Sequence, residues 1–163
     1  MVKKQKSIKT NAIRILENEK IAYQMRSYEI EDGQNDGVSV AKKTNEPPEN
    51  VYKTLVAMAS KTALLVFIIP VTEELDLKKA AKAAGHKNVD MLPMKELMKE
   101  TGYVRGGCSP VGMKKELPTF IDQQAEALDY FFVSAGKVGL QMKLAPSDLA
   151  TVTKAQFVDI VKK

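Results

Sequence analysis

At 163 residues, with 44% hydrophobic and 28% charged residues, the chain has the size and make-up of one globular domain with its own core. Its net charge is +5, and all but three of its 25 basic residues are lysine, the exceptions being Arg14, Arg26 and Arg105. That balance suits an anionic partner such as RNA but is milder than in dedicated nucleic-acid binders. A single cysteine, Cys108, excludes an intramolecular disulfide framework, and the longest apolar run, residues 63–71, is too short to span a bilayer. With basic residues but no signal-peptide apolar stretch near its start, the expected location is cytoplasmic.

Residues 1–9 carry Lys3, Lys4, Lys6 and Lys9 and read as a flexible basic arm, which leaves 10–163 as the folded domain. Asn11 is placed to cap a helix whose Ala12, Ile13 and Leu16 share one face. Residues 21–28 read as a strand with Tyr23 and Met25 on the same side. The acidic segment EIEDGQNDG, residues 29–37, is either a solvated connector or a cover over a pocket. A short helix follows at 38–44, then a hinge at Glu46-Pro47-Pro48-Glu49.

Residues 51–59 read as a strand entering the core, with a turn at Ser60-Lys61. Residues 63–70, ALLVFIIP, are apolar on both faces and predict a central strand. A helix at 75–84 is stopped by Gly85; a short strand at 89–92 and a short helix at 94–100 follow. Next comes TGYVRGGCSPVGMKKELPTFID, residues 101–122. Gly102, Gly106, Gly107, Cys108, Ser109, Pro110 and Gly112 crowd into eleven residues there, too many breakers for a helix and too much backbone freedom for a strand. Two readings fit: a rigid binding loop whose donors are backbone amides, or a bulged turn between strands.

Strands are expected at 119–121 and 130–134 with a helical turn between them at 123–128. A turn at 135–139 leads into a strand at 140–144. Ser147 is placed to cap a helix at 148–151, and a terminal helix is expected at 154–162. Helices and strands mix without regular βαβ alternation and without a repeat or linker. The fold class that follows is α+β, a single domain with a mixed, largely antiparallel sheet.

The usual catalytic groups are scarce. His86 is the one histidine and follows a helix end, where the helix dipole more often explains it than a substrate. One His and one Cys leave no ordinary zinc site, so no metal or cofactor is expected. No G-x-S-x-G elbow or phosphate-binding G-x-x-x-x-G-K-[ST] motif occurs. Cys108, with Arg105 and Lys114 near in sequence, is either an activated nucleophile or the filler of a small buried slot. Lys53 stands among Val51, Tyr52, Leu55 and Val56, where a charge must either have a task or alternate outward to solvent.

Together, ILENEKIAYQMRSYE at 15–29, VYKTLV at 51–56, LDLKK at 75–79, GYVRGGCSPVGMKKELPTFID at 102–122 and VSAGKVGLQMKLAPSDL at 133–149 resemble the bacterial YbaK/EbsC family of trans-editing proteins. The likeness covers nearly the whole chain. It implies a single α+β domain related to the editing domain of bacterial prolyl-tRNA synthetases. The implied activity is hydrolysis of cysteine mischarged onto proline tRNA, Cys-tRNA(Pro). By the same resemblance, Lys53 helps hold the 3′-terminal adenosine and the aminoacyl ester, and Gly106 lines the site through its backbone. Tyr28, Gly107, Ser109 and Pro110 match family positions of the substrate site.

Three positions depart from the best-known branch. Cys108 replaces an isoleucine, Asp36 an aromatic residue and Gln141 an aspartate, and the last two bear on amino-acid selectivity. The resemblance also implies a reaction in which the substrate's own thiol attacks the ester, so the protein supplies position and oxyanion donors rather than a base. Lys42, Lys43, Lys78, Lys79, Lys82, Lys114 and Lys115 are candidates for the tRNA-facing surface, and prolyl-tRNA synthetase is an implied partner. Two alternatives remain at this level: a same-fold deacylase for another ester such as Ala-tRNA(Pro), and a non-catalytic module that binds charged tRNA or the synthetase.

Overall fold

The computed structural model describes residues 9–29 and 37–163. The arm expected at 1–9 and the acidic segment therefore lie largely outside the described residues. Strands β1 (Gln24–Ser27), β6 (Phe131–Lys137) and β7 (Leu140–Leu144) form an antiparallel sheet in the order β1-β7-β6. A second sheet has the order β4-β2-β3-β5-β8. Its strands are β2 (Tyr52–Ser60), β3 (Ala63–Pro70), β4 (Asp90–Met91), β5 (Thr119–Asp122) and β8 (Gln156–Val158). In it β2 pairs antiparallel with β3 and β4, while β3–β5 and β5–β8 are parallel. The α+β class and the mixed, mainly antiparallel pairing hold, but the strands divide between two sheets.

β3 sits mid-sheet, as its two-sided hydrophobicity predicts. Alternation sends Val66 and Ile68 into one core with Ile13, Leu16, Phe131 and Met142. It sends Leu65, Phe67 and Ile69 into the other, with Ala80, Ala81, Phe120 and Ile160. Phe67 stacks on Phe120 with ring centroids 5.3 Å apart. The two sheets meet where Val51 bridges Phe132 and the Tyr52 ring stands edge-on to Phe131 at 5.0 Å.

Helix α1 (Asn11–Asn18) is capped by Thr10, not Asn11: the Thr10 hydroxyl accepts from the Ile13 amide at 3.2 Å. Asn11 instead turns toward the glycine loop, donating to the Gly112 carbonyl at 3.4 Å. Helix α2 (Gly37–Lys43) precedes a 3-10 turn at Pro48–Asn50. Helix α3 (Leu77–Ala84) has Asp76 as its cap and ends at Gly85, and α4 (Met94–Thr101) ends at Gly102. A 3-10 turn, Gln123–Ala127, joins the two sheets, and α5 (Pro146–Thr153) follows β7.

The chain after β5 differs from expectation in three places. β6 runs on to Lys137 with a bulge after Ser134, so the turn before β7 narrows to Val138-Gly139. Pro146 starts α5 from an Ala145 cap, which puts Ser147 inside the helix instead of at its cap. No terminal helix forms at 154–162. Lys154 at φ 60° stops α5, and the chain turns to run parallel to β5. The open edge of β5 satisfies its backbone, and Asp122 accepts from the Ile160 amide at 3.2 Å. Ile160 becomes fully buried. A lone helix of that length is marginal in water, so strand pairing with burial wins.

Candidate active site

Residues of both sheets line a cavity of about 340 Å³ beside the Val51–Phe132 bridge. β2 contributes Tyr52, Lys53, Thr54 and Leu55 to its wall; β6 and β7 contribute Ser134 and Gln141. Tyr28, α2 and Val71 close another side, and Arg105, Gly106 and Cys108 come from the glycine loop. Tyr28 and Gly37, which flank the undescribed residues 30–36, both lie on the wall. Asp36 itself lies outside the described residues.

Lys53, Gly106 and Tyr28 are thus brought together although they stand far apart in sequence. Lys53 is half-buried on β2 and lines the cavity, so it does not merely alternate outward to solvent. The backbone amide of Tyr28 donates to the Gly139 carbonyl at 2.9 Å, which ties it to the β6–β7 turn.

The loop is held by its own short-range geometry. The Gly107 amide donates to the Val104 carbonyl at 3.0 Å, closing a four-residue turn with Gly106, at φ 82°, in third place. A positive φ at that place is the signature of a type II turn and calls for glycine. Gly107 is needed for another reason: a Cβ there would stand 2.9 Å from the Val138 backbone nitrogen. Ser109, fully buried, accepts from the Val111 amide at 3.2 Å. Tyr103 donates its hydroxyl to the Val111 carbonyl at 2.6 Å.

Gly107, Ser109 and Pro110, by contrast, are buried and are not among the residues lining the cavity. They fix its shape, and Pro110 borders a separate cleft of about 250 Å³. The amides of Gly106 and Cys108 donate to no acceptor among the described residues. The loop is a turn, as one reading had it, and Gly106 and Cys108 stand on the cavity wall.

Cys108 is 7% exposed and packs against Val56 and Leu64. Burial pushes its thiol up to about 12, with Thr101 pulling weakly the other way. A thiol held protonated at neutral pH is no activated nucleophile. Burial likewise raises the Tyr52 phenol, with the charges of Asp122 and Glu73 adding to it. Lys53 and Arg105 are the charged members of the described wall, and no carboxylate or histidine joins them. His86 is exposed after α3, away from the cavity.

Thr54 and Gln141 were not marked as site residues by motif or spacing, although Gln141 stood out as a departure. Among the described residues, the two buried side-chain atoms without a hydrogen-bond partner are Thr54 Oγ1 and Gln141 Oε1. Both residues line this cavity. Buried polar atoms are nearly always paired, so these two are open to a water or a bound molecule in the cavity. The one available signal for Thr54 was its place directly after Lys53.

The candidate tRNA-facing lysines do not form one patch by sequence neighbourhood. Lys42 and Lys43 are on α2 beside the cavity, and Lys78, Lys79 and Lys82 are on α3. Lys79 is engaged by Asp159 at 3.1 Å, and Lys115 lies 3.7 Å from Glu100.

Residues 35–152 match the family model described as "Aminoacyl-tRNA editing domain". A curated relative from Enterococcus faecalis, named "Putative Cys-tRNA(Pro)/Cys-tRNA(Cys) deacylase EbsC", is 43% identical over 163 residues, covering 100% of this chain and 99% of the relative. Among solved structures, one described as a "putative trans-editing enzyme for prolyl tRNA synthetase" superposes with a TM-score of 0.82 at 20% identity, covering 96% of this chain and 100% of the other. Another, "hypothetical protein APE2540", gives 0.84 at 17% identity over 94% of this chain and 100% of its own. At those identities the two structures speak to the fold alone.

Proposed function

This chain belongs to the aminoacyl-tRNA editing family, and from that premise we propose that it deacylates cysteine mischarged onto proline tRNA. The full-length identity to a relative named as a Cys-tRNA deacylase supports the substrate class. The observation that carries the mechanism is the make-up of the cavity: two cations, free amides and orphaned polar atoms, with no general base on its described wall.

With no carboxylate or histidine on the described wall to activate water, the nucleophile in this reading is the substrate's own thiol. The cysteinyl thiol loses its proton to solvent and its sulfur bonds to the ester carbonyl carbon. The bond from that carbon to the 3′ oxygen breaks, and the oxygen is protonated as the tRNA leaves. The cyclic thiolactone then opens in water to free cysteine. Lys53 and the Gly106 amide hold the ester and balance the charge that develops on its carbonyl oxygen, a task of position and electrostatics. Tyr28 packs beside the nucleoside, while Gly107, Ser109 and Pro110 keep the loop in shape. Cysteine is favoured because a thiol ionises far more readily than a hydroxyl. Proline tRNA is selected through a complex with prolyl-tRNA synthetase, since the basic surface offers largely sequence-independent phosphate contacts.

Incubating the protein with proline tRNA charged separately with cysteine, alanine and proline tests this reading. Rapid loss of the cysteine ester alone is expected. Comparable loss of the alanine ester would overturn substrate-assisted cleavage, and binding without any loss would mean a non-catalytic module.

A further inference from the structure

We propose that Arg105 is a phosphate-binding residue that grips the 3′-terminal nucleotide through its own 5′-phosphate. This rests on the deacylase reading above and names a contact that the reading does not include.

The three arginines have different fates. Arg26 is spent inside the fold: its guanidinium bonds Glu46 at 2.9 Å and the Thr44 carbonyl at 3.1 Å, and lies 5.2 Å from the Phe132 ring centroid. Arg14 sits on the exposed side of α1 and is not among the residues lining the cavity. Arg105 lies on the cavity wall, exposed, with no ion pair to any described residue. It is also the second residue of the turn whose third residue is Gly106.

That placement gives the side chain a fixed origin. The turn is closed by the Gly107–Val104 bond and pressed against the β6–β7 turn, so Arg105 leaves a rigid corner. An ester held at the Gly106 amide has its nucleotide's 5′-phosphate one ribose away. A side chain of arginine length from the adjoining residue spans that gap. The planar guanidinium suits the two free oxygens of a phosphodiester better than an ammonium does. No described carboxylate on the wall competes for it. Lys53 is thereby left to the ester while Arg105 takes the phosphate, so the two cations of the described wall have separate partners.

The test compares R105A and R105K with the unmodified protein on two substrates: Cys-tRNA(Pro) and a cysteinyl ester of adenosine that carries no phosphate. On the tRNA, R105A is expected to raise KM by about tenfold with kcat nearly kept, and to flatten the slope of log affinity against log salt by about 0.7. R105K should restore the salt slope but only part of the affinity. On the phosphate-free ester the R105A loss should be several-fold smaller. Equal losses on both substrates, or none on either, would overturn the proposal. Equilibrium binding of a short uncharged RNA with the tRNA 3′ sequence gives an independent readout. There R105A should bind more weakly with a shallower salt slope, and unchanged binding would overturn the phosphate contact. If the unmodified protein binds this RNA in an Arg105-dependent way yet cleaves neither ester, the deacylase reading fails and the phosphate contact stands.

Discussion

Lys53 matters because of what surrounds it. A lone cation on a half-buried strand, without an ion pair to the described residues, is held in the cavity at a cost in desolvation that a substrate offsets. Lys53→Ala should lower kcat/KM for Cys-tRNA(Pro) by on the order of 100-fold, as loss of one charge-stabilising donor does. Its thermal unfolding should stay within about 0.5 kcal/mol of the parent, because no internal partner is orphaned. Cys108 makes the opposite case. Cys108→Ala should keep activity within about threefold, since its thiol is protonated and touches the cavity only as wall. Its titration is visible in stability instead. The folded thiol, raised to about 12, keeps a proton that the unfolded chain releases from about 9. Stability is therefore lost as pH climbs through that window. Urea midpoints at pH 8 and pH 10 should fall further for the parent than for Cys108→Ala.

At the scale of elements, the glycine loop works because two neighbouring glycines solve different problems. Gly106 supplies the positive φ of its turn, and Gly107 lets the loop backbone touch the β6–β7 turn. Gly107→Ala drives a Cβ against main chain that has nowhere to move, so it should destabilise by about 1–3 kcal/mol and displace the free amides. A matched drop in melting temperature and kcat/KM would show it. If activity fell while the melting temperature held, the glycine would be acting on substrate directly. The loop's crowding of glycine and proline was legible in sequence, and the resemblance pointed to Gly106, but why Gly107 must also be glycine was not. That depends on Val138, thirty-one residues further on. The end of the chain was misread for a related reason. Local pattern favours a helix at 154–162, and only the presence of β5's unpaired edge makes a strand the better choice.

Across the whole molecule, the cavity draws its wall from both sheets, beside the bridge that joins them. Lysine helices stand at separate places around it, α2 at its wall and α3 over the opposite core. Binding of tRNA should then rest on a few scattered phosphate contacts. The KM for Cys-tRNA(Pro) is expected to rise steeply between 50 and 200 mM salt, by roughly tenfold for two or so phosphates. A KM independent of salt would remove the basic surface from substrate recognition.

By itself the sequence determined the α+β class, the central strand at 63–70, the helix stops at Gly85 and Gly102, and the likeness that singles out Lys53, Gly106 and Tyr28. These follow from hydrophobic period, breaker residues and motif, all of which act over a few neighbours. Only the tertiary structure decided the division into two sheets and the strand at the C-terminus. It also decided the burial of Cys108, the close approach of Gly107 to the β6–β7 turn, and the joining of Arg105, Thr54 and Gln141 in one wall. Each of those depends on which distant backbone edge or side chain arrives beside a residue, and a local pattern carries no information about that.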